Sequence, residues 1–565
     1  MTTERTSRGP QQNPCVDSGD PQQSPHGQPV VNDVIAALAS GARLNMAGKS
    51  VKASFLRALL FDPASFQVPH PVALRIDGAR IEGRANFGGM TIPFSVAFTH
   101  CTFSHLVIFA KATCVNLSLN GSHVPRFRAA FLTVEKTLSL GHGFSSSGQV
   151  RLFGADIGKL DAEDARVDNP DGYAINGDYC HVRSYATLEK STFRGTVRML
   201  SAAVDGQLDF TGVVIRGRRG DDALVLDSVR VPGGITASGA TIFGPTWLVA
   251  VQSSHEINFS HARFVAPNER ALDASRLSAG SLNLTEAHIF GELKAAGARM
   301  ETLDCTDSVF KAPADYSLDL DSSRISGAFH ANFAVVQGAL DLTNTDIHVY
   351  RDRRISWPES IKLIGAHYDR LEGDGERMGV TRTSTRERLA WLLRDPDFHP
   401  QKYRSVAQAY ANVGQARLQR AVLIEGEHQR RIARTHGMQR GLSTAWSGVL
   451  RGLIGYGYRP GRAILWLLAL ILAGTGIAWL EHQSGTITNT GDATTTFNPF
   501  RYAVAVLFPV ASLTDATGFT VTGPAAWTSF ALAIAGWFLA AIVVAGLAGI
   551  FRRDSRQTSI LGRGG

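Results

Sequence analysis

Cysteine thiols are the first side chains in this sequence that could do chemistry, as redox centres or metal ligands. The 565 residues include five, at positions Cys15, Cys101, Cys114, Cys180 and Cys305. Their number is odd, and none has the C-x-x-C spacing of a zinc ribbon or a thioredoxin-type dithiol. Cys305 fills the second apolar position of Leu303-x-Cys305, where a small core residue is expected. The cysteines therefore predict neither a disulfide framework nor a metal site.

Glycine-rich segments are the second place to look, because a dinucleotide site needs glycines directly after a strand and at the start of a helix. Gly373, Gly375 and Gly379 have the wrong spacing and follow the charged run Arg370-Leu371-Glu372, so we predict a surface loop. The sequence has no P-loop, no H-E-x-x-H, no G-x-S-x-G and no C-x-x-C-H. We predict no catalytic residue, no cofactor and no metal.

A repeat of eleven residues runs through the middle of the chain. Leu318, Phe329 and Leu340 are eleven apart, and pairs such as Leu318-x-Leu320 and Leu340-x-Leu342 recur with small residues and glycines after them. A right-handed helical coiled coil also has this period, but frequent glycine would destabilise a long helix. The pattern predicts a mainly β fold, a right-handed β-helix of pentapeptide-like solenoid turns, each of about 22 residues.

The predicted solenoid covers residues 64–350, with five side chains pointing inward: Leu318, Leu320, Phe329, Leu340 and Leu342. Simple alternation places Asp341 outward and predicts that lysine is tolerated there. The segment Phe259–Phe264 is pentapeptide-like, and His261 and His288 are expected at exterior positions beside turns. Two polar insertions, 168–173 and 217–222, are expected to blur the phase of the repeat.

The regions around the solenoid have different compositions. Residues 1–30 are polar and rich in Pro, Gln and Ser, which predicts disorder and no signal peptide. Residues 31–63 predict two short capping helices, the second ended by Asp62-Pro63. Residues 351–440 have 18 Lys and Arg against 11 Asp and Glu, and an apolar stripe there predicts a basic helical hairpin that turns at Gly414.

Two uncharged stretches, 463–480 and 525–550, are long enough to span a bilayer. The juxtamembrane residues 441–462 and the tail 551–565 are rich in arginine, whereas the loop 481–524 has one. This bias predicts both termini in the cytoplasm and only the loop outside. Within the loop, the apolar stretch 502–513 is too short to cross, and whether it is re-entrant stays open at this point.

Degenerate L-x-L-x-G-A-x-I-x-G repeats, the segments YRSVAQAYANVGQARLQRA and GYGYRP, and two spans occur in this order. This combination resembles bacterial proteins labelled membrane-associated oxidoreductase, over about residues 31–554. The resemblance depends mainly on C-terminal positions: Tyr403, Tyr410, Gly414, Gly455, Gly457, Tyr458, Arg459 and Pro460. It implies a bacterial cytoplasmic membrane protein, and an oxidoreductase label without a catalytic motif that maps onto these residues.

Three functions stay open at this point. The first is a non-enzymatic, membrane-tethered scaffold or protein-recognition surface, because repetition without a convergent polar site is typical of binding solenoids. The second is an oxidoreductase with a site assembled in space, and the third is a two-span channel with a solenoid regulatory domain. Expected partners are the lipid bilayer, a protein along the solenoid face and a second copy of the chain. The net charge of +8 is modest for this length, and no nucleic acid is expected.

Overall fold

The computed structural model describes residues 28–218, 220–373, 385–434, 460–485, 487–489, 497–507, 519–521 and 526–538. By its internal contacts the chain divides into two compact units. The first unit contains residues 1–319 and 333–337, and the second contains residues 320–332 and 338–565.

The first unit is a parallel β-solenoid built from two sheets, in which each strand pairs with a strand about one turn later. Its first sheet consists of Arg43–Asn45, Ala73–Asp77, Thr91–Ile92, Ser95–Thr99, Thr113–Cys114, Leu117–Ser118, Thr133–Ser139, Asp156–Asp161, His181–Val182, Ala186–Thr187, Ala203–Val204, Leu208–Asp209, Ile235–Thr236, Glu256–Asn258, Ser278–Asn283 and Arg299–Asp304. Its second sheet consists of Ser50–Lys52, Arg80–Glu82, Ala85–Asn86, Thr102–Phe103, Val107–Ile108, His123–Val124, Phe127–Arg128, Ser145–Ser146, Val150–Arg151, Arg166–Asn176, Thr192–Arg198, Val214–Arg216, Leu224–Val225, Thr241–Phe243, Thr246–Trp247, Arg263–Asp273, His288–Lys294 and Val309–Asp319.

The hydrophobic core consists of apolar side chains stacked from turn to turn. Ile257 pairs in register with Leu282, which pairs with Leu303, and all three side chains are fully buried. The predicted β-solenoid is thus confirmed. The five side chains expected to point inward, Leu318, Leu320, Phe329, Leu340 and Leu342, are each at most 1% exposed.

A recurring corner explains why Asp or Asn so often separates the two apolar residues of a turn. The Oδ1 atom of Asp209 accepts a hydrogen bond from the backbone N–H of Thr211 at 2.8 Å. The Oδ1 atoms of Asn283 and Asp304 likewise accept from the backbone N–H of the residue two positions later. The next residue is left-handed, with φ of 55° at Glu286. Such Asx turns satisfy a backbone donor that the corner would otherwise leave unpaired.

Strand pairing begins earlier than residue 64. Helix α1, Gln28–Ser40, is followed by the strands Arg43–Asn45 and Ser50–Lys52, which pair with Ala73–Asp77 and Arg80–Glu82. Helix α2 then covers Ala53–Phe61, and a short 3-10 helix, Pro63–Phe66, follows. Two short helices are present, and Asp62-Pro63 follows the second, but a solenoid turn starts between them.

The second unit also begins with parallel solenoid strands, and these continue beyond residue 350. In its first sheet Arg324–Ala331 pairs with Asp346–Asp352, which pairs with His367–Glu372. In its second sheet the last residues of Val335–Asp341 pair with Ser360–Lys362, and a 3-10 helix covers Arg354–Ser356. The solenoid therefore extends about one turn into the segment expected to be helical.

Three helices follow the last strands of the second unit: α3, Thr385–Leu392; α4, Pro400–Asn412; and α5, Ala416–Arg434. Helix α4 packs against the strand His367–Glu372, and α5 packs against α4. The Trp391 ring contacts Tyr350 and Tyr368, with centroids 5.7 and 6.2 Å apart. Arg388 makes a buried bidentate salt bridge with Asp352, both bonds being 2.9 Å. These contacts form a cap, here called the helical cap, on the last solenoid strands.

The C-terminal part of the second unit contains helices α6, Pro460–Gln483; α7, Pro499–Leu507; and α8, Ala526–Phe538. The strands Ile487–Asn489 and Phe519–Val521 pair antiparallel. Among the described residues, one helix is long and apolar enough to cross a membrane, over Leu465–Gln483. Of the second expected span, 525–550, the structure describes only α8, and residues 525 and 539–550 lie outside the described residues.

Candidate recognition face

Four of the eight residues that carried the family resemblance lie in the part of the chain that the structure describes. Tyr403 and Tyr410 are buried in α4, 2% exposed, and Gly414 has φ of 73° at the turn into α5. Pro460 is the first residue of α6. Gly455, Gly457, Tyr458 and Arg459 lie outside the described residues. The four that can be located occupy packing, turn and helix-start positions.

The four described thiols are not placed for redox chemistry. Four cysteines, Cys101, Cys114, Cys180 and Cys305, are free and buried. Burial raises the pKa of Cys101 to about 11 and those of Cys114 and Cys180 to about 12, so little nucleophilic thiolate forms at neutral pH. Within the described ranges, no group of three or more His, Cys, Asp or Glu side chains is arranged to hold a metal ion.

Polar side chains do meet between the C-terminal helices. Thr528 of α8 donates to Glu481 of α6 at 2.6 Å, and the hydroxyls of Tyr502 and Ser529 are 3.2 Å apart. Gly474 lets Leu532 approach α6, since a Cβ at that position would lie 2.5 Å from its Cδ2 atom. These bonds and the close approach join α6, α7 and α8 to one another.

The most regular polar feature of the first unit lies on the outside of its second sheet. Seven successive strands, from Arg166–Asn176 to Val309–Asp319, are paired in register there. A buried inner row is flanked by two outward rows, whose charged members are Arg166, Asp168, Arg194, Arg216, Arg263 and Lys311. We call the five cations among these the arginine strip. Asp168, the one carboxylate, is bonded to Arg194 at 3.1 Å.

Aromatic rings hold several of these cations in place. The Arg216 guanidinium lies over the Phe243 ring of the next turn, 5.2 Å from its centroid. Phe290 lies between Arg263 and Lys311, at 5.0 and 5.7 Å. Such cation–π contacts orient the planar guanidinium while its N–H edge stays available to an anion.

Beside the arginine strip, inserted loops follow a longer period than the solenoid turn. The register of the second sheet shows extra residues at 168–173, 216–224, 265–270 and 311–318. These loops begin 46 to 49 residues apart, so one occurs in every second turn. From the sequence, the insertions were expected to blur the phase of the repeat. In the structure they instead follow a regular period of two turns.

Glycine occupies the intervening turns because the inserted loops press against them. Gly195 has φ of 114°, and a Cβ there would lie 2.6 Å from the carbonyl oxygen of Gly172. Gly291 has φ of 127°, and its Cβ would lie 2.7 Å from the oxygen of Glu269. Only glycine adopts this backbone region without strain, so each loop and its neighbouring glycine form one unit of the longer repeat.

Polar contacts tie the inserted loops to the turns between them. Trp247 donates its Nε1 proton to Asp222 at 2.6 Å, and Arg270 lies over the Trp247 ring at 5.8 Å. Arg270 is also bonded to Glu292 at 3.1 Å, and Arg198 donates to the Tyr173 hydroxyl at 3.1 Å. The loops therefore belong to an ordered edge beside the arginine strip.

Sequence reasoning missed this edge because it identified only two insertions, 168–173 and 217–222, and expected them only to interrupt the eleven-residue phase. A usable signal was present: Pro170, Pro267 and Pro313 occur at similar places in three of the four insertions, and Gly195, Gly244 and Gly291 alternate with them. Proline and a positive-φ glycine in alternating turns indicate a repeat of two turns.

Comparison with known proteins adds little to this description. No family model matches the chain, and no curated protein matches it, so the resemblance to membrane-associated oxidoreductases has no support from either source. Among solved structures, the chain is similar to that of HetL, a pentapeptide repeat protein involved in heterocyst differentiation regulation from the cyanobacterium Nostoc sp. strain PCC 7120. That match has 11% identity and a TM-score of 0.13, and it covers 56% of this chain and 95% of HetL. The assignment of a repeat-protein solenoid therefore rests on the strand pairing of the chain itself.

Proposed function

We propose that this protein is a membrane-anchored, non-enzymatic scaffold that recognises a protein partner through the outer face of its solenoid. The observation that carries the proposal is the ordered array of the second sheet, where the arginine strip crosses seven strands and an inserted loop occurs in every second turn. Repeat proteins use such extended faces to bind other macromolecules. A partner could thus contact many turns at once.

Helix α6 is the proposed anchor. Its apolar side chains are mainly exposed, with Leu468 52% and Leu472 72% exposed and Trp466 and Trp479 near its two ends. An exposed apolar helix of this length is stable in hydrocarbon, whereas in water it would aggregate. Interfacial tryptophans would fix its depth.

The anchor is tested with L468R/L472R in the full chain. Two arginines at the centre of a span oppose insertion by about 5 to 7 kcal/mol on insertion scales. We expect the unchanged protein to stay in the membrane pellet after alkaline carbonate extraction. A larger fraction of the variant should be released, because only the second span proposed below would then hold it. R75E/R299E, two changes on exposed solenoid strands, is the control and should stay in the pellet. Release of the unchanged protein would refute anchoring.

Partner recognition is tested with a photo-crosslinking residue placed in the full chain in cells. At Phe243, on the outer face of the second sheet, we expect a discrete cross-linked protein. At Arg299, on the first sheet, we expect none. A product with twice the mass of the chain would instead identify a second copy as the partner, and no product at Phe243 would refute recognition through this face.

We further propose that a second span follows within residues 525–550 and that both termini lie in the cytoplasm. The support is the arginine bias around the predicted spans. Because the four described thiols are buried, C15S provides a background for S484C and S559C. An impermeant thiol reagent on intact cells should label position 484 and not 559. Labelling at 559 would contradict the second span.

No cofactor is part of this proposal. An oxidoreductase of this kind would carry a bound flavin, haem or similar group, so the detergent-purified protein distinguishes the two functions. We expect its visible spectrum to be featureless. Near-stoichiometric flavin or haem absorbance would replace the scaffold function with the oxidoreductase. The channel is tested by conductance in planar bilayers, where we expect none.

A further inference from the structure

We infer that the arginine strip binds an acidic, extended protein segment that runs along the solenoid axis. This inference rests on the proposed scaffold function and specifies the chemistry of its partner. The strip crosses seven strands about 4.8 Å apart, so it is about 29 Å long. An extended peptide of about nine residues has the same length.

Charge is the first argument. The two outward rows that contain Arg166, Arg194, Arg216, Arg263 and Lys311 have one carboxylate, Asp168. Five of the seven strands contribute one cation each to these rows, whereas Thr241–Phe243 and His288–Lys294 contribute none. Together the five cations create a positive potential along this face. A segment with several Asp or Glu side chains complements this potential, and a neutral or basic segment does not.

The cation–π contacts favour carboxylates over nucleic acid. Proteins that bind single-stranded nucleic acid stack bases on open aromatic faces. Here Arg216 covers Phe243, and Arg263 and Lys311 cover Phe290, so these ring faces are occupied. The guanidinium N–H edges remain, and their fork geometry matches a carboxylate bidentately. The strip therefore presents donors for acidic side chains and lacks an open stacking platform.

The sheet pairing predicts how such a segment would be held. Each inner strand of the strip, for example Val214–Arg216, is paired on both sides, with Thr192–Arg198 and Thr241–Phe243. A peptide therefore cannot add as a further strand through backbone hydrogen bonds. Binding must depend on side-chain charge, so it should weaken steeply as salt rises.

The test uses the full chain in a neutral detergent and a fluorescent twelve-residue peptide of alternating Glu and Ser, with binding followed by anisotropy. R216E/R263E should weaken binding at least tenfold, because reversing a charge adds repulsion to the lost attraction. R216K/R263K, which keeps the charge but loses the fork, should weaken it about threefold. The control R75E/R299E, on exposed strands of the first sheet, should change it less than twofold.

If R216E/R263E melts at a lower temperature than the unchanged protein, the test is repeated with R216Q/R263Q, which removes both charges without reversing them. The inference is overturned when either pair binds the Glu/Ser peptide like the unchanged protein. It is also overturned when a twelve-nucleotide oligothymidylate, or vesicles with one-third phosphatidylserine, bind more tightly than the peptide and lose that binding in R216E/R263E.

Failure of this inference can be separated from failure of the scaffold function. Cross-linking through Phe243 in cells reports recognition by the face whatever the charge of the partner. Cross-linking that persists in R216E/R263E refutes the acidic segment and leaves the scaffold intact. Absence of cross-linking in the unchanged chain, together with peptide binding in detergent, refutes the scaffold and leaves the strip as an anion-binding surface.

Discussion

The solenoid turns and the helical cap bury their side chains in different ways. In the turns, the same position is apolar from strand to strand, as in the stack of Ile257, Leu282 and Leu303. In the cap, a single cluster around Trp391 and the Arg388–Asp352 pair has no counterpart in the next turn. Repetition makes the solenoid core visible in the sequence, whereas the cap depends on residues that occur once.

The largest effect is expected where a charge enters the repeated core. Leu340 is 1% exposed and pairs with Ile361 of the next turn. In L340D a carboxylate would be buried without a partner, which costs more than about 4 kcal/mol. We expect loss of expression or a collapse of the melting temperature. E359K, at an exposed position near Ile361 in the next turn, is the control. Equal melting of L340D and E359K would show that the inward register is wrong.

The position beside Leu340 shows where alternation misled the sequence argument. Asp341 was expected to point outward and to tolerate lysine, but it is 8% exposed and accepts from the Thr343 N–H at 2.9 Å. It also lies 3.7 Å from Lys362. Period two distinguishes the faces of a strand but not a carboxylate that caps the following corner, so we now expect D341K to destabilise.

The cap should respond almost as strongly, but its loss should be reversible by a second change. R388M removes the cation and leaves Asp352 buried, which costs about 3 to 5 kcal/mol. R388M/D352L removes both charges and should recover much of that loss, although Trp357 also loses a hydrogen bond to Asp352 of 2.8 Å. Chemical denaturation measures both. A double variant no better than R388M would show that the pair is not the cause.

The inserted edge should show an intermediate effect. In G291A the new Cβ meets the Glu269 oxygen at 2.7 Å with φ of 127°, so we expect a loss of about 2 to 3 kcal/mol. The matched control is G239A, where φ is 66° and no atom lies within 4 Å of the Cβ. Backbone strain alone then costs about 1 kcal/mol. Similar losses in denaturant midpoint would mean that the loops do not press on the glycine turns.

The parts of the fold that could be predicted from the sequence are those whose contacts repeat from turn to turn. The eleven-residue spacing was enough for the β-solenoid and for the inward positions of Leu318 and Phe329, because many turns repeat one pattern. The start at Arg43 and the extension to Glu372 were missed because the end turns lack neighbours on one side and depart from that pattern.

The candidate face was harder to predict than the core. An arginine such as Arg216 looks like a solvated charge in sequence, and its stacking on Phe243 depends on the register between two turns. The register between these turns can be predicted from the sequence only when the insertions are recognised as a repeat of two turns. Side chains that act through a neighbouring turn are therefore the part of this fold that one-dimensional spacing leaves open.

The smallest effect is expected at the first turns, where one half-buried carboxylate joins three turns. Asp77 accepts from Thr99 at 2.7 Å and is 2.8 Å from His100 and 2.9 Å from Arg43. The hydrogen bond with His100, followed by those with Arg43 and Thr99, lowers the pKa of Asp77 below its usual 3.8. A lowered carboxyl pKa stabilises the fold above the unfolded-state value, and this contribution is lost as pH falls below about 4.

D77N should therefore melt a few degrees below the unchanged protein at pH 7, and the difference should shrink as pH falls toward 3. Because Asp77 is near the surface, its contribution is on the order of 1 kcal/mol and decreases with salt. Melting curves at pH 7 and pH 3, each at low and high salt, measure this. A difference that does not change with pH would mean that Asp77 acts through packing. The end turn would then be held like the cap, by contacts that occur once, and not by a charge shared between turns.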